Sequence, residues 1–187
     1  MPNQSTQTPA RQDYLKAIFH LGLPGRGVAP SDVARALHLS KPSVSSMLKR
    51  LCEEGLLEYA SGRAVRLTKD GVALTMRVIR RHRLLERFFV EVLGLDWSEV
   101  HEEAEILEHH LSDRIVDAID RVLGHPSEDP HGHPIPDADG RLTVRDLTPL
   151  GDLAPGEQGV VREVHSHEAE RLQRWKQLGL VPGAELL

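Results

Sequence analysis

Apolar residues at 14, 15, 18 and 21 fall on one helical face, so Asp13–Leu21 reads as an amphipathic helix. Gly22 and the run Leu23-Pro24-Gly25-Arg26-Gly27 end it. Pro30-Ser31 opens a second helix with Val33, Ala34 and Leu37 on one side, and His38-Leu39 makes a tight turn. Ser40 is placed to cap a third helix, with Pro42 in its first turn, where a missing N–H costs nothing. Val44, Met47, Leu48 and Leu51 then repeat at i, i+3, i+4 and i+7, a single buried stripe, and Gly55 is a natural stop. Two short strands, Leu56–Tyr59 and Ala64–Leu67, flank the turn Ser61-Gly62-Arg63. Helix, turn, helix and hairpin in that order predict a winged helix-turn-helix.

A long helix follows from near Thr68 to Gly94, carrying Val78-Ile79, Leu84-Leu85 and Phe88-Phe89. Asp96 and Glu99 have the spacing of a capping box for a helix over 100–110. A further helix covers 113–123 and stops at Gly124. His125 to Gly140 is rich in Pro, Gly, His and Asp and reads as a flexible linker, with His125, His131 and His133 solvated. From Arg141 the pattern changes: Val160–Val164 reads as a strand, Glu168–Leu178 as a short helix, and a strand begins after Gly183. The expected fold is mainly α, in three parts: a winged helix-turn-helix over 1–73, a helical part with its linker over 74–140, and a small β domain over 141–187 that looks partial.

Composition adds the setting. The start, Met1–Ala10, is polar, lacks the apolar stretch of a signal peptide and reads as a disordered lead-in. No apolar run approaches the ~18 residues a membrane span needs. Cys52 is the only cysteine, so no internal disulfide can form; beside Leu48 it reads as a small core residue. Together these point to a cytoplasmic protein with no membrane partner. The net charge of −5 hides an asymmetry. Residues 35–87 hold twelve Lys/Arg against five Asp/Glu, a net of +7, while residues 91–140 hold two Arg against fourteen Asp/Glu, a net of −12. A basic module for a polyanion is followed by an acidic one that attracts cations or a partner.

The stripe on the third helix leaves Ser40, Lys41, Pro42, Ser43, Ser45, Ser46, Lys49 and Arg50 on its outer side and N-terminal end. Hydroxyls and cations there suit phosphate and base-edge contacts in a major groove, and Arg63 and Arg66 on the hairpin can reach the backbone of double-stranded DNA. In the acidic part, His101, Glu105, Glu108 and His109 share a helical arc of roughly 100°. His82 and Glu86, at i and i+4, point one way on the preceding helix. Imidazole and carboxylate without thiolate fit Mn(II) or Fe(II) better than Cu(I) or a structural zinc. A solvated acidic face is the plain alternative; a helical carboxylate/His metalloprotein, either a di-metal enzyme or a storage protein, is the functional one. His110 faces elsewhere. No nucleophile–base set and no phosphate-cradling glycine loop is present, so an enzyme is not expected.

These residues resemble the DtxR/MntR family of metal-dependent transcriptional regulators. The likeness rests on Asp13-Tyr-Leu, Leu39-Ser-Lys-Pro-Ser-Val-Ser, Arg80 to Phe88, Val100 to Ser112 and Pro130-His-Gly-His-Pro-Ile-Pro136, and it spans 11–187. It implies a homodimer that binds a palindromic operator, usually as a repressor, when loaded with Mn(II) or, as the second choice, Fe(II). It implies a primary metal site of Asp13, Glu105, Glu108 and His109; Asp and Glu where iron-type members have Met and Cys mark the manganese-type set. Lys16 stands where short members place a second acidic ligand. The resemblance further implies an ancillary site of His82, Glu86, His101 and Glu168. Arg171 stands where a glutamine is usual there, which leaves His165, His167 and Glu170 open as substitutes. The C-terminal part resembles the family's SH3-like, FeoA-type domain. Leu107 and Leu111 are candidates for the dimer face.

Overall fold

The structure, a computed structural model, describes residues 8–22, 26–166 and 168–186. Two compact units form, Met1–Ile79 and Arg80–Leu187.

In the first unit α1 spans Pro9–Leu21, α2 Pro30–Ala36 and α3 Lys41–Glu53, followed by β1 (Leu57–Tyr59), β2 (Val65–Leu67) and the start of α4 (Lys69–Glu91). The first helix begins at Pro9 rather than Asp13, because proline is preset for a first turn. Pro9 and Ala10 are therefore helical and do not belong to a disordered lead-in; Met1–Gln7 and Leu23–Gly25 lie outside the described residues. Ser40 caps α3 as expected, its Oγ accepting from Ser43 N at 3.4 Å. Tyr14, Leu15, Ile18, Val33, Val44, Leu48, Leu51, Leu57 and Val65 form one apolar interior, with Cys52 half-buried against it. The hairpin pairs Leu57 with Leu67 and Tyr59 with Val65. Val28 adds a bridge on the far side of β2, exchanging bonds of 2.8 and 2.9 Å with Val65. A side chain at Gly27 would meet Ala60 Cβ at 2.7 Å, so this approach needs glycine. The unit is a winged helix-turn-helix.

The second unit takes the rest of α4, then α5 (Val100–Leu107), α6 (Asp113–Val122), β3 (Gly159–Val160), α7 (Ala169–Gln177) and β4 (Glu185–Leu186). Leu84, Leu85, Phe89, Val100, Ala104, Val116 and Ile119 pack together, and Ile135 joins them. The expected capping box does not form. Asp96 instead accepts from Ser98 N at 3.0 Å and Ser98 Oγ at 2.7 Å and takes Lys176 Nζ at 2.6 Å.

Residues 125–140 are not a flexible linker. Asp129 N donates to His133 O at 3.0 Å, Ile135 N to Ser127 O at 2.8 Å, and Arg80 Nη1 to Pro136 O at 2.6 Å. Arg83 donates to Pro134 O. Turn-forming composition is compatible with a fixed loop where backbone groups find partners, as those of Asp129, Ile135 and Pro136 do. Gly132, at φ +89°, lies so close to Arg162 that an added Cβ would sit 1.9 Å from its carbonyl oxygen.

In the C-terminal part β3 pairs antiparallel with β4, Gly159 opposite Leu186. The expected strand through Val164 stops at Val160. Beyond it Val161 N bonds Ala184 O at 2.9 Å and Val164 N bonds His131 O at 3.0 Å, so the ladder partner is replaced by loops. Trp97, Val164 and Leu172 form a third apolar cluster, which fastens this SH3-like segment to the helical part. No helix among the described residues is long and apolar enough to cross a membrane.

Candidate metal centre

Two turns of α4 and one face of α5 bring His82, Glu86 and His101 together, with one ligand atom of each within 4.8 Å of the others. His82 Nε2 lies 3.0 Å from Glu86 Oε1 and 3.1 Å from His101 Nδ1, and His101 Nδ1 is 3.1 Å from Glu86 Oε1. The other nitrogen, His82 Nδ1, meets Glu108 Oε2 at 2.6 Å. Glu105 Oε1 stands 3.7 Å from His82 Nδ1 and from His101 Nε2. His109 Nε2 is 3.6 Å from Glu108 Oε1. The members of the two ligand sets that lie in this unit are thus contiguous, joined through His82 and Glu108. The helix itself ends at Leu107; Glu108 is its C-cap and His109 lies in the turn beyond, so the stripe is not wholly on one helix.

Glu86 and Glu108 are 2% and 0% exposed. Burial pushes the Glu86 carboxyl up, but the charge of His82 and hydrogen bonds from His101, His131 and His82 overrule it and leave the pKa well below the usual range. An ionised carboxylate in that place needs cations around it. The donors are oxygens and ring nitrogens with no sulfur, so they fit a divalent ion of the Mn(II) or Fe(II) kind.

The residue that sequence reasoning missed is His131. It is buried, not solvated; Nε2 donates to Trp97 O at 2.9 Å and Nδ1 faces Glu86 Oε2 at 3.5 Å. Burial opposes its charged form, yet Glu86, Asp129 and the Trp97 carbonyl outweigh that and raise its pKa. Asp129, His131 and His133 make a second group, and His133, Glu163 and His165 a third. The repeated His-x-His of 131–133 is the signal in the sequence, masked by the Pro, Gly and Asp residues around it. His125 is exposed, with Nδ1 2.7 Å from Asp120 Oδ2.

Glu168 is not brought to His82, Glu86 and His101. It is exposed at the start of α7 and pairs with Arg171 at 3.0 Å. Glu170 is exposed too, His165 stands with His133 and Glu163, and His167 lies outside the described residues. Asp13 is half-buried in the middle of α1 in the first unit.

In the winged helix Lys41, Pro42, Ser43, Ser45, Ser46, Lys49 and Arg50 are exposed along α3, with Ser40 at its cap, and Arg63 is exposed on the hairpin turn. Arg50 Nε meets Glu54 at 3.1 Å and Arg66 Nε meets Glu58 at 2.7 Å.

A winged helix-turn-helix, a helical unit with a His/carboxylate interior and an SH3-like segment define the class of metal-dependent DNA-binding regulators. Residues 7–65 match the iron dependent repressor N-terminal DNA binding domain, 68–137 the iron dependent repressor metal binding and dimerisation domain, and 148–186 the FeoA domain. The chain is 35% identical over 185 residues to the iron-dependent repressor IdeR of Mycobacterium leprae, covering 92% of this chain and 80% of that protein. It is 37% identical over 126 residues to the diphtheria toxin repressor of Corynebacterium diphtheriae, covering 67% and 56%. Among solved structures, a manganese-dependent transcriptional repressor in complex with manganese superposes with a TM-score of 0.86 at 36% identity, over 94% of this chain and 81% of that one. The repressor ScaR with bound Cd2+ gives 0.82 at 32% identity, over 94% and 82%. The chain belongs to the DtxR/MntR family of metal-dependent transcriptional repressors. It is a DNA-binding regulator rather than an enzyme.

Proposed function

We propose that this regulator is a cytoplasmic repressor of metal-homeostasis genes that binds a palindromic operator as a homodimer when loaded with Mn(II), with Fe(II) as the second candidate ion. The observation that carries the choice of ion is the thiol-free donor set around Glu86 and Glu108, two sealed carboxylates bordered by imidazoles. Carboxylate-rich, sulfur-free surroundings favour the harder of the transition ions. Ile106, Leu107, Ile115 and Val122 are exposed on α5 and α6, and apolar surface of this kind suits pairing with a second copy. The name of one similar structure, a manganese-dependent repressor with manganese, points the same way.

The reading assigns Asp13, Glu105, Glu108 and His109 to the activating ion. His82, Glu86 and His101 are assigned to the ancillary one, with Glu168 proposed to join them from the start of α7 and His131, 3.5 Å from Glu86, as a further candidate. When bound, the cation would supply positive charge beside Glu105 and Glu108. Ser40, Lys41, Pro42, Ser43, Ser45, Ser46, Lys49, Arg50 and Arg63 are assigned to the duplex, the cations and hydroxyls to phosphates and base edges. By this reading residues 1–73 bind DNA, residues 74–140 bind the metal and dimerise, and residues 141–187 form the SH3-like part.

Anisotropy titration of an operator duplex, selected from a random pool with Mn(II) present, tests the reading. Mn(II) is expected to tighten binding at least ~100-fold over chelator, about 2.7 kcal/mol. Asp13→Ala and Glu108→Ala should each remove most of that gain. Equal affinity with chelator and with Mn(II) overturns it.

A further inference from the structure

His133 and the pair Glu163/His165 are thirty residues apart in sequence and meet within the second unit. One ligand atom of each lies within 4.8 Å of the other two. The His133 and His165 rings stand with centroids 5.0 Å apart, and His165 Nε2 is 3.5 Å from Glu163 Oε2. None of the three belongs to the His82/Glu86/His101 group.

The group is held in place from behind. Asp129, 2% exposed, accepts from the backbone N–H of His131 at 2.8 Å and of His133 at 3.0 Å through Oδ1, and its Oδ2 faces His133 Nδ1 at 3.1 Å. An imidazole that donates Nδ1–H to a carboxylate keeps Nε2 as a lone pair. That is the arrangement that orients and strengthens metal-ligating histidines. Arg145 Nη1 donates to Glu163 Oε1 at 3.3 Å and to Gly132 O at 2.8 Å, which steers the other carboxylate oxygen toward His165. Val164 N bonds His131 O at 3.0 Å, so the two backbone segments carrying the ligands are themselves fastened together.

We propose that His133, Glu163 and His165 form a third cation site, for a borderline divalent ion of zinc-like preference. Two imidazoles and one carboxylate, with Arg145 partly neutralising the acid, favour nitrogen-seeking ions over Mg(II) or Ca(II). His165, with 73% of its side chain exposed, leaves an entry path and room for water as a further ligand. An ion there pins the 129–136 loop to the SH3-like segment through side chains, beside the backbone bonds already present. It is separate in ligands and in ion preference from the carboxylate-rich centre, and does not depend on how that centre works.

The test uses the full chain stripped of metal by chelation. Zn(II) is titrated by calorimetry and counted by elemental analysis in the wild type, His165→Ala and Glu163→Gln. Both variants are expected to lose one equivalent, or to weaken one site at least ~10-fold, while the remaining equivalents keep their affinity. Because His165 is exposed, its metal-free variant should melt with the metal-free wild type, and Zn(II) should raise its melting temperature less. A stoichiometry and affinities identical in all three proteins overturn the proposal. So does a loss spread evenly over every site, which would mean the substitutions act by disturbing the fold.

Discussion

Leu51 and Glu108 are both sealed from solvent at 0% exposure, and they sit in opposite kinds of interior. Around Leu51 the winged helix buries side chains that gain by leaving water whatever the ionic conditions. Around Glu108 the second unit buries carboxylates and imidazoles, including Glu86, His82, Asp129 and His131. Such groups lose hydration on burial and are stable only while each charge is matched. The interior around Leu51 holds without charge matching, whereas the interior around Glu108 changes its free energy with the charges set against it.

The comparison breaks most visibly in the apolar unit. Leu51→Ala leaves a cavity where α3 meets the hairpin and should cost about 2–5 kcal/mol. Thermal unfolding followed by circular dichroism should show that loss equally with Mn(II) and with chelator. A loss that Mn(II) repairs would mean the first unit is not metal-indifferent. Gly132→Ala comes next, at about 1–3 kcal/mol from its positive φ alone, with a clash against Arg162 O added. Its effect should be confined to the second unit. Amide exchange should quicken in 129–136 and 161–164 and stay unchanged in α3.

The smallest effect concerns Asp96. Hydrogen bonds from Lys176 and Ser98, then the Lys176 charge, hold its pKa down at about 2 against burial. A depressed carboxyl contributes stability above its unfolded value of 3.8 and loses it as pH falls through about 2. The pair is largely solvent-exposed, so the contribution is under about 1 kcal/mol. Asp96→Asn should remove that contribution, lowering the neutral-pH melting temperature by under about 4 °C and flattening the change in Trp fluorescence between pH 4 and 2.

The helix-turn-helix was legible because its interior obeys one rule. Val44, Leu48 and Leu51 repeat at helical spacing, and Ser40 and Pro42 mark where the turn begins. The His82/Glu86 pair was legible for the same reason, since i and i+4 share a face. Legibility failed where partners are remote. Asp96 looked like half of a capping box, and its carboxylate went instead to Ser98 and to Lys176, eighty residues away. Val161–Val164 looked like a strand, and its hydrogen bonds went to Ala184 and His131. His131 looked solvated among prolines and glycines, and it is among the most buried polar residues described.

What the amino-acid order determined by itself is therefore local: the elements of the first unit, the basic face of α3, and the acid and imidazole content of α5, which holds no cysteine. Periodicity and capping act over a few residues, and a single chain displays them directly. Tertiary structure alone decided that residues 125–140 are a wall of the metal-bearing unit, that His82 links Glu86 to Glu108, and that Glu168 stays outside while His131 comes in. Those outcomes depend on which distant backbone satisfies which buried polar group, a competition whose terms exist only once the chain has closed on itself.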